Sequence, residues 1–358
     1  MLKPQALSPS NGIFSWLKAN LFATPAHGLA SILILWFLVF SVPALIEWGI
    51  INANFVANTG SECQQTTGAC WSFLTHKYRI ILFGIYPFDE QWRPFMVVLL
   101  LIALLVYSAI PRFWHKSLIA IWLVVIMLCG MLMMGGIGGL SFVETAKWGG
   151  LPITLILSIF GILFATPIGI LLALGRRSEM PLIRSLCIVY IELIRGVPFI
   201  SLLFMASVMV PLFFPEGMSI DKLLRAQIAV IIYVSAYIAE VVRGGLQAIP
   251  NGQYDGAKSL GLSYWQMMRL VILPQALKVV IPPLVSIFIS IFKDTSLVVI
   301  IGIYDLTLSA KVALADPLWQ GFSVEAYLFI GFIYFVFCYA MSKYSQFIEQ
   351  RLTLNHQH

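Results

Sequence analysis

Charge is what this 358-residue chain has least of. Only 11% of its residues are Asp, Glu, Lys or Arg, and 60% are hydrophobic. A soluble domain carries about 25% charged residues. So few charges cannot cover a water-facing surface of this size, which excludes an ordinary cytosolic enzyme and a disordered chain. Zinc-ligand spacing is missing as well: the five Cys are dispersed, and no CxxC stands with an HxxxH. His27, His76, His115, His356 and His358 are scattered, and no nucleophile–base constellation is present. No catalytic residue and no metal site is therefore expected, and a membrane-embedded enzyme is a poor reading. Neither a short helical repeat nor the roughly ten-residue alternation of a transmembrane β-barrel is visible.

What is present is a series of long apolar runs, the mark of an all-α polytopic membrane protein. Eight spans are predicted, at roughly 29–49, 95–110, 117–136, 151–174, 187–214, 226–246, 279–303 and 326–346. The second is short and is expected to begin nearer Trp92. The fifth carries Glu192, Arg195 and Pro198, so its start is expected to be kinked or to lie outside the hydrocarbon. With the N-terminus placed in the cytoplasm, 14 Lys and Arg fall on inner segments and 7 on outer ones, with Lys293 inside a span. Cytoplasmic loops carry the excess of Lys and Arg, so both termini are expected inside. The net charge of +6 then follows from topology and is no nucleic-acid footprint.

The expected organisation is an N-terminal segment at 1–28, an accessory three-span region at 29–140 with an outer loop at 50–94, a five-span region at 148–348 and a tail at 349–358. Ile13, Trp16, Leu17 and Leu21 share one helical face, so a short interfacial helix is one reading of the first segment and an irregular tail the other. Cys63 and Cys70 share the outer loop, where an oxidising compartment permits a disulfide; two free thiols are the alternative. Cys129, Cys187 and Cys338 read as small packing residues.

The inner loop at 247–278 is long and patterned, and loops of this kind are usually functional. It reads as two short helices. Asn251 is the expected N-cap of the first and Gly261 its stop; Ser263 caps the second, which runs to Pro274. Gly256 and Ala257 give the first helix a small face, and Asp255 adds one charge. Such a helix suits docking into a groove on a soluble partner, or lying on lipid headgroups.

This stretch resembles the coupling loop of ABC importer permeases, whose pattern is Glu-Ala-Ala, three residues, Gly, nine residues, then Ile-x-Leu-Pro. The matching residues are Asp255, Gly256, Ala257, Gly261, Val271, Ile272, Leu273 and Pro274. Asp replaces Glu at 255 and Gly replaces Ala at 256, keeping charge and small size. The stretches from Tyr190 to Pro198, Ser235 to Gly244 and Lys293 to Leu297 resemble the polar amino acid branch of these permeases. Cys70-Trp71 and Tyr86 to Pro94 look like the longer membrane subunit of general L-amino acid importers. The resemblance implies a type I permease core in the last five spans. It also implies a second, related permease subunit, two cytoplasmic ABC ATPases and a periplasmic amino-acid-binding protein in the inner membrane assembly. ATP and Mg would be bound by the ATPases, and no cofactor by this chain. Gly256-Ala257-Lys258-Ser259 is no Walker A element, since it lacks the Gly before Lys and follows no strand. A stand-alone secondary transporter is the competing reading; it leaves the coupling loop unexplained and calls for inverted repeats, which are not visible.

Charged groups inside spans are costly and are functional candidates. Glu192 with Arg195, and Glu240 with Arg243, are each three residues apart, so each pair shares a helix face. They are candidates for an inner gate; static pairs that fix helix packing are the plainer reading. Lys293, Asp294, Thr295 and Ser296 lie about 21 Å into the seventh span at helical rise. A cation, an anion and two hydroxyls there complement an amino acid, which makes them candidates for the translocation path.

Overall fold

The computed structural model describes residues 13–215 and 220–354. The first 12 residues of the N-terminal segment and the last four of the tail lie outside the described residues. Two compact units divide after Thr75.

In the first unit, α1 (Ile13–Asn20) leads into α2 (Pro25–Ile46). Thr24 starts α2 by accepting a hydrogen bond from the His27 N–H at 3.2 Å, and Pro25 stands where a helix needs no N–H. The helix closes in a π-turn at Glu47–Ile51. Its apolar side chains, Leu29 to Phe40, are largely exposed, as a lipid-facing span requires. A short α3 (Gly60–Cys63) follows. Cys63 and Cys70 are disulfide-bonded, with Cα atoms 5.7 Å apart. The loop after α2 is thus structured, and it ends in α4 (Ser72–Phe83).

The second unit continues with α5 (Trp92–Ala109), α6 (Ser117–Met134), α7 (Leu151–Arg176), α8 (Pro181–Gly196) and α9 (Phe199–Phe204). Then come α10 (Lys222–Ala248), α11 (Asn251–Ser259), α12 (Tyr264–Met267) and α13 (Leu273–Asp294). The last two helices are α14 (Leu306–Leu314) and α15 (Ser323–Leu354). A two-residue parallel ladder interrupts the helices: β1 (Gly149–Gly150) pairs with β2 (Tyr304–Asp305).

Among the described residues, seven helices are long and apolar enough to span a membrane, and a bent pair brings the number to eight. That pair is the predicted fifth span, and it carries the expected kink. Helix α8 and the segment Phe199–Phe213 meet at 103° instead of forming one rod over 187–214. Pro198 lacks an N–H and pushes Val197 into extended geometry (φ −101°, ψ 132°), so the helix breaks there. The second span begins at Phe88, ahead of 95. The seventh runs from Tyr264 to Ile301, far longer than 279–303, because the second loop helix does not stop at Pro274. A π-turn at Met268–Ile272 absorbs the hydrogen bond that proline cannot make, and α13 runs on.

The core is centred on α7, which packs most extensively against α10. Small residues set that contact: Gly161, Ala165, Gly169 and Ala173 recur every four residues along one buried edge of α7. Tyr190 ties α8 to α10, its hydroxyl lying 3.0 Å from the Ile232 carbonyl and 2.8 Å from Ser235 Oγ.

Candidate functional site

Three groups of residues stand out, and α10 takes part in all of them. The first is the helix α11. Ile249 is extended, and Pro250, not Asn251, takes the N-cap position; Asn251 is already inside the helix and no side chain caps it. Proline ends α10 and restarts the chain in one step, which is why the start falls a residue earlier than predicted. At the other end Gly261 takes a left-handed φ of +74°. Its N–H donates to the Lys258 carbonyl at 2.9 Å, and the Leu262 N–H donates to the Ala257 carbonyl at 3.3 Å. These are the paired bonds of a glycine-terminated helix. Ser263 and Gln266 form a reciprocal capping box that starts α12.

Only Ala257 of α11 is buried. Asp255 and Gly256 face outward, and a Cβ added at Gly256 would meet nothing within 4 Å. The helix is fastened at its root. Tyr254 donates its hydroxyl to the Leu246 carbonyl at 2.9 Å. Arg177 Nη1 donates to that same carbonyl at 3.0 Å and to the Tyr254 oxygen at 2.9 Å. Gln275 Nε2 reaches Gln253 Oε1 at 3.1 Å, linking α11 to α13. Leu273 is half-buried and Pro274 exposed, both in the first turn of α13.

The second group is ionic. Glu240 of α10 receives Arg243 from its own helix, with Nε at 3.0 Å. It also receives Arg176 at 3.3 Å and Arg195 at 3.7 Å. The predicted pair of Glu192 with Arg195 does not form: Glu192 bonds to Arg176 at 2.9 Å, while Arg195 turns to Glu240. Spacing along α8 allows the local pair, but the end of α7 supplies a third guanidinium that bridges both acids. Arg176 was missed because it reads as an ordinary helix-terminal base.

The third group lines a cavity of ≈ 350 Å³ between α10 and α13. Asp294 enters it together with Tyr233, Tyr237, Ser286 and Ser290. The two phenol oxygens are 3.2 Å apart. Arg195 lies over the Tyr237 ring, 5.9 Å from its centroid, which joins the ionic group to the cavity wall. Of the four residues expected together, Asp294 alone lines the cavity. Lys293 is exposed on another face, about 100° round the helix. Thr295 is buried, donating to the Phe292 carbonyl at 2.7 Å, and Ser296 is half-buried outside the lining. Ser286, Ser290 and Asp294 recur every four residues in an apolar helix. That stripe was legible, as was Tyr233 with Tyr237 four residues on, but neither was singled out.

Known proteins resemble this chain in sequence over most of its length and in structure over about half of it. The inner membrane amino-acid ABC transporter permease protein YhdY of Escherichia coli (strain K12) is 50% identical over 342 residues, covering 94% of this chain and 92% of the relative. The glutamate/glutamine/aspartate/asparagine transport system permease protein BztC of Rhodobacter capsulatus is 35% identical, covering all of this chain and 98% of the relative. A crystal structure of an amino acid ABC transporter with histidines superposes with a TM-score of 0.51 at 35% identity, covering 56% of this chain and 92% of that one. Residues 165–354 match the family described as binding-protein-dependent transport system inner membrane component. Members are multi-pass permeases that work with ATPase subunits and a substrate-binding protein, so a stand-alone secondary transporter is set aside. The chain belongs to the binding-protein-dependent transport system inner membrane component family.

Proposed function

We propose that the chain is the permease subunit of an ATP-driven importer for L-amino acids, with both termini in the cytoplasm and α11 as the coupling helix. Its partners are two ABC ATPases, which bind ATP and Mg, a second and related permease subunit, and a periplasmic amino-acid-binding protein. The observation that carries this reading is the form of α11: anchored through Tyr254 and Arg177, yet bare at Asp255 and Gly256. Among the described residues none requires a small residue at 256, which supports a small face kept for an outside surface. Asp255, Gly256, Ala257 and Gly261 form the docking rod, and Leu273 and Pro274 lead its motion into α13.

Alternating access follows from these connections. Closure of the ATPase dimer displaces α11, and the displacement reaches α7 through Arg177 and α13 through Gln275. The ionic cluster of Arg176, Glu192, Arg195, Glu240 and Arg243 lies between α7, α8 and α10, where rocking of those helices would break and remake it as an inner gate. In the cavity, Asp294 faces the substrate ammonium, while Tyr233, Tyr237, Ser286 and Ser290 offer hydroxyl donors for the carboxylate. Lys293, Thr295 and Ser296 hold the chain around that position and do not contact substrate directly.

The test is reconstitution of the full importer in vesicles with labelled amino acids and the binding protein. Wild type is expected to take up at least one amino acid in an ATP-dependent way. Asp294→Asn is expected to lose at least tenfold in uptake while keeping basal ATPase. Unchanged uptake removes the cavity from the pathway, and an Asp255→Cys probe that never crosslinks to the ATPase removes α11 as the coupling element.

A further inference from the structure

Beside the fastening of α11 lies a second, smaller pocket of ≈ 160 Å³. Its walls come from four stretches of chain: the end of α7 with Arg177 and Glu179 after it, Leu246 of α10, Tyr254 and Lys258 from α11, and Tyr264 and Met267 from α12. Opposite charges face this space without neutralising one another. Among the described residues, no ion pair joins Glu179 to Lys258 or to Arg177, and neither Glu179 nor Lys258 makes a side-chain hydrogen bond. Both hydrogen bonds of Arg177 are made by Nη1, which leaves Nη2 and Nε for another acceptor. Phenol rings and two thioethers, of Met267 and Met268, complete an amphipathic lining.

We propose that this pocket binds a zwitterion carrying a primary ammonium and an anionic oxygen group, and that the bound molecule restrains α11. A simple anion would be repelled by Glu179 and a simple cation by Arg177 and Lys258. A molecule with both charges meets each with its opposite, and its remaining atoms meet Tyr264 and Met267. Two sources supply this chemistry on the α11 side of the membrane: a free α-amino acid and the headgroup of phosphatidylethanolamine. A ligand held between Glu179, which belongs to the α7–α8 connection, and Lys258, on α11, fastens the two together. It therefore favours whichever state keeps them close, and opposes the motion of α11. This inference rests on the proposed role of α11 in an amino acid importer.

The experiment uses the complete importer in proteoliposomes of pure phosphatidylcholine. Binding protein and transported amino acid are sealed in the lumen, ATP and Mg are added outside, and ATPase activity is recorded. Lack of any stimulation by luminal amino acid overturns the proposed function itself. With stimulation present, the same amino acid is titrated outside, on the α11 side. Inhibition by at least half in wild type is expected, with its midpoint raised at least tenfold in Glu179→Gln, whose luminal stimulation is unchanged. Lys258→Gln, normalised to its own uninhibited rate, is expected to shift in the same sense. In a parallel arm, phosphatidylethanolamine replaces half of the lipid. Inhibition relieved by Glu179→Gln in that arm identifies the headgroup as the source. No inhibition in either arm, or inhibition equal in wild type and Glu179→Gln, overturns the proposal.

Discussion

Asp305 is fully buried, and its carboxylate accepts hydrogen bonds from the backbone N–H groups of Thr307 and Leu308 at 2.9 Å each. It lies in the connection between α13 and α14, outside the spanning helices. Burial pushes its pKa up to about 6, against the pull of the helix N–H donors. The folded protein therefore holds this proton more tightly than the unfolded chain, whose ordinary value is 3.8. The contribution of Asp305 to stability is greatest below about pH 4 and is lost as pH rises through about 6. A shift of this size corresponds to at most about 3 kcal/mol. The melting temperature in detergent is expected to drop between pH 4 and pH 7, and Asp305→Asn is expected to flatten that drop. An equal slope in the variant would assign the effect to another group. At this scale the sequence shows which charges lie inside spans and leaves their partners open. Glu240 and Arg243 pair locally, as three-residue spacing allows. Arg176 joins them from 64 residues away, and no spacing rule reveals it.

Helix α7 meets α10 closely because its contact edge is small. A Cβ added at Gly169 would lie 2.6 Å from Ile238 Cγ2 and 2.9 Å from the Ser235 carbonyl oxygen. Spans gain packing energy from such close approach, since lipid supplies no hydrophobic drive between helices. Gly169→Leu is expected to cost about 1–3 kcal/mol by overpacking. Its signature is a lower melting temperature together with loss of the Tyr190–Ser235 contact that ties α8 to the same helix. A wild-type melting curve would mean that α10 shifts without cost. The four-residue recurrence of Gly and Ala on α7 was visible in the sequence, yet it does not say which helix it meets. The element pattern was largely legible, because apolar runs, prolines and glycines act locally. The break at Val197–Pro198 was expected but its 103° angle was not, nor was the π-turn before Leu273, because a proline can end a helix, bend it or be absorbed, and neighbouring packing selects among these.

For the whole molecule, the distribution of Lys and Arg carries the orientation. An Asp89→Cys probe at the exposed start of the second span is expected to react with a membrane-impermeant maleimide from the periplasmic side only. A Gln357→Cys probe in the tail is expected to react from the cytoplasmic side only. The reverse pattern would place α11 away from any cytoplasmic ATPase and would remove the coupling role.

Length of apolar run, loop charge and the loop pattern around Asp255 and Gly261 are properties of short stretches, so the sequence by itself determined the number of spans, their expected orientation and the family resemblance. Which side chains meet depends on how each helix is rotated and where it breaks. Tertiary structure alone therefore decided that Arg176 bridges Glu192 and Glu240, that Asp294 faces a cavity while Lys293 turns away, and that Glu179 and Lys258 share a pocket unpaired. Those contacts join residues from separate helices, and the free energy that selects them comes from packing the whole bundle at once.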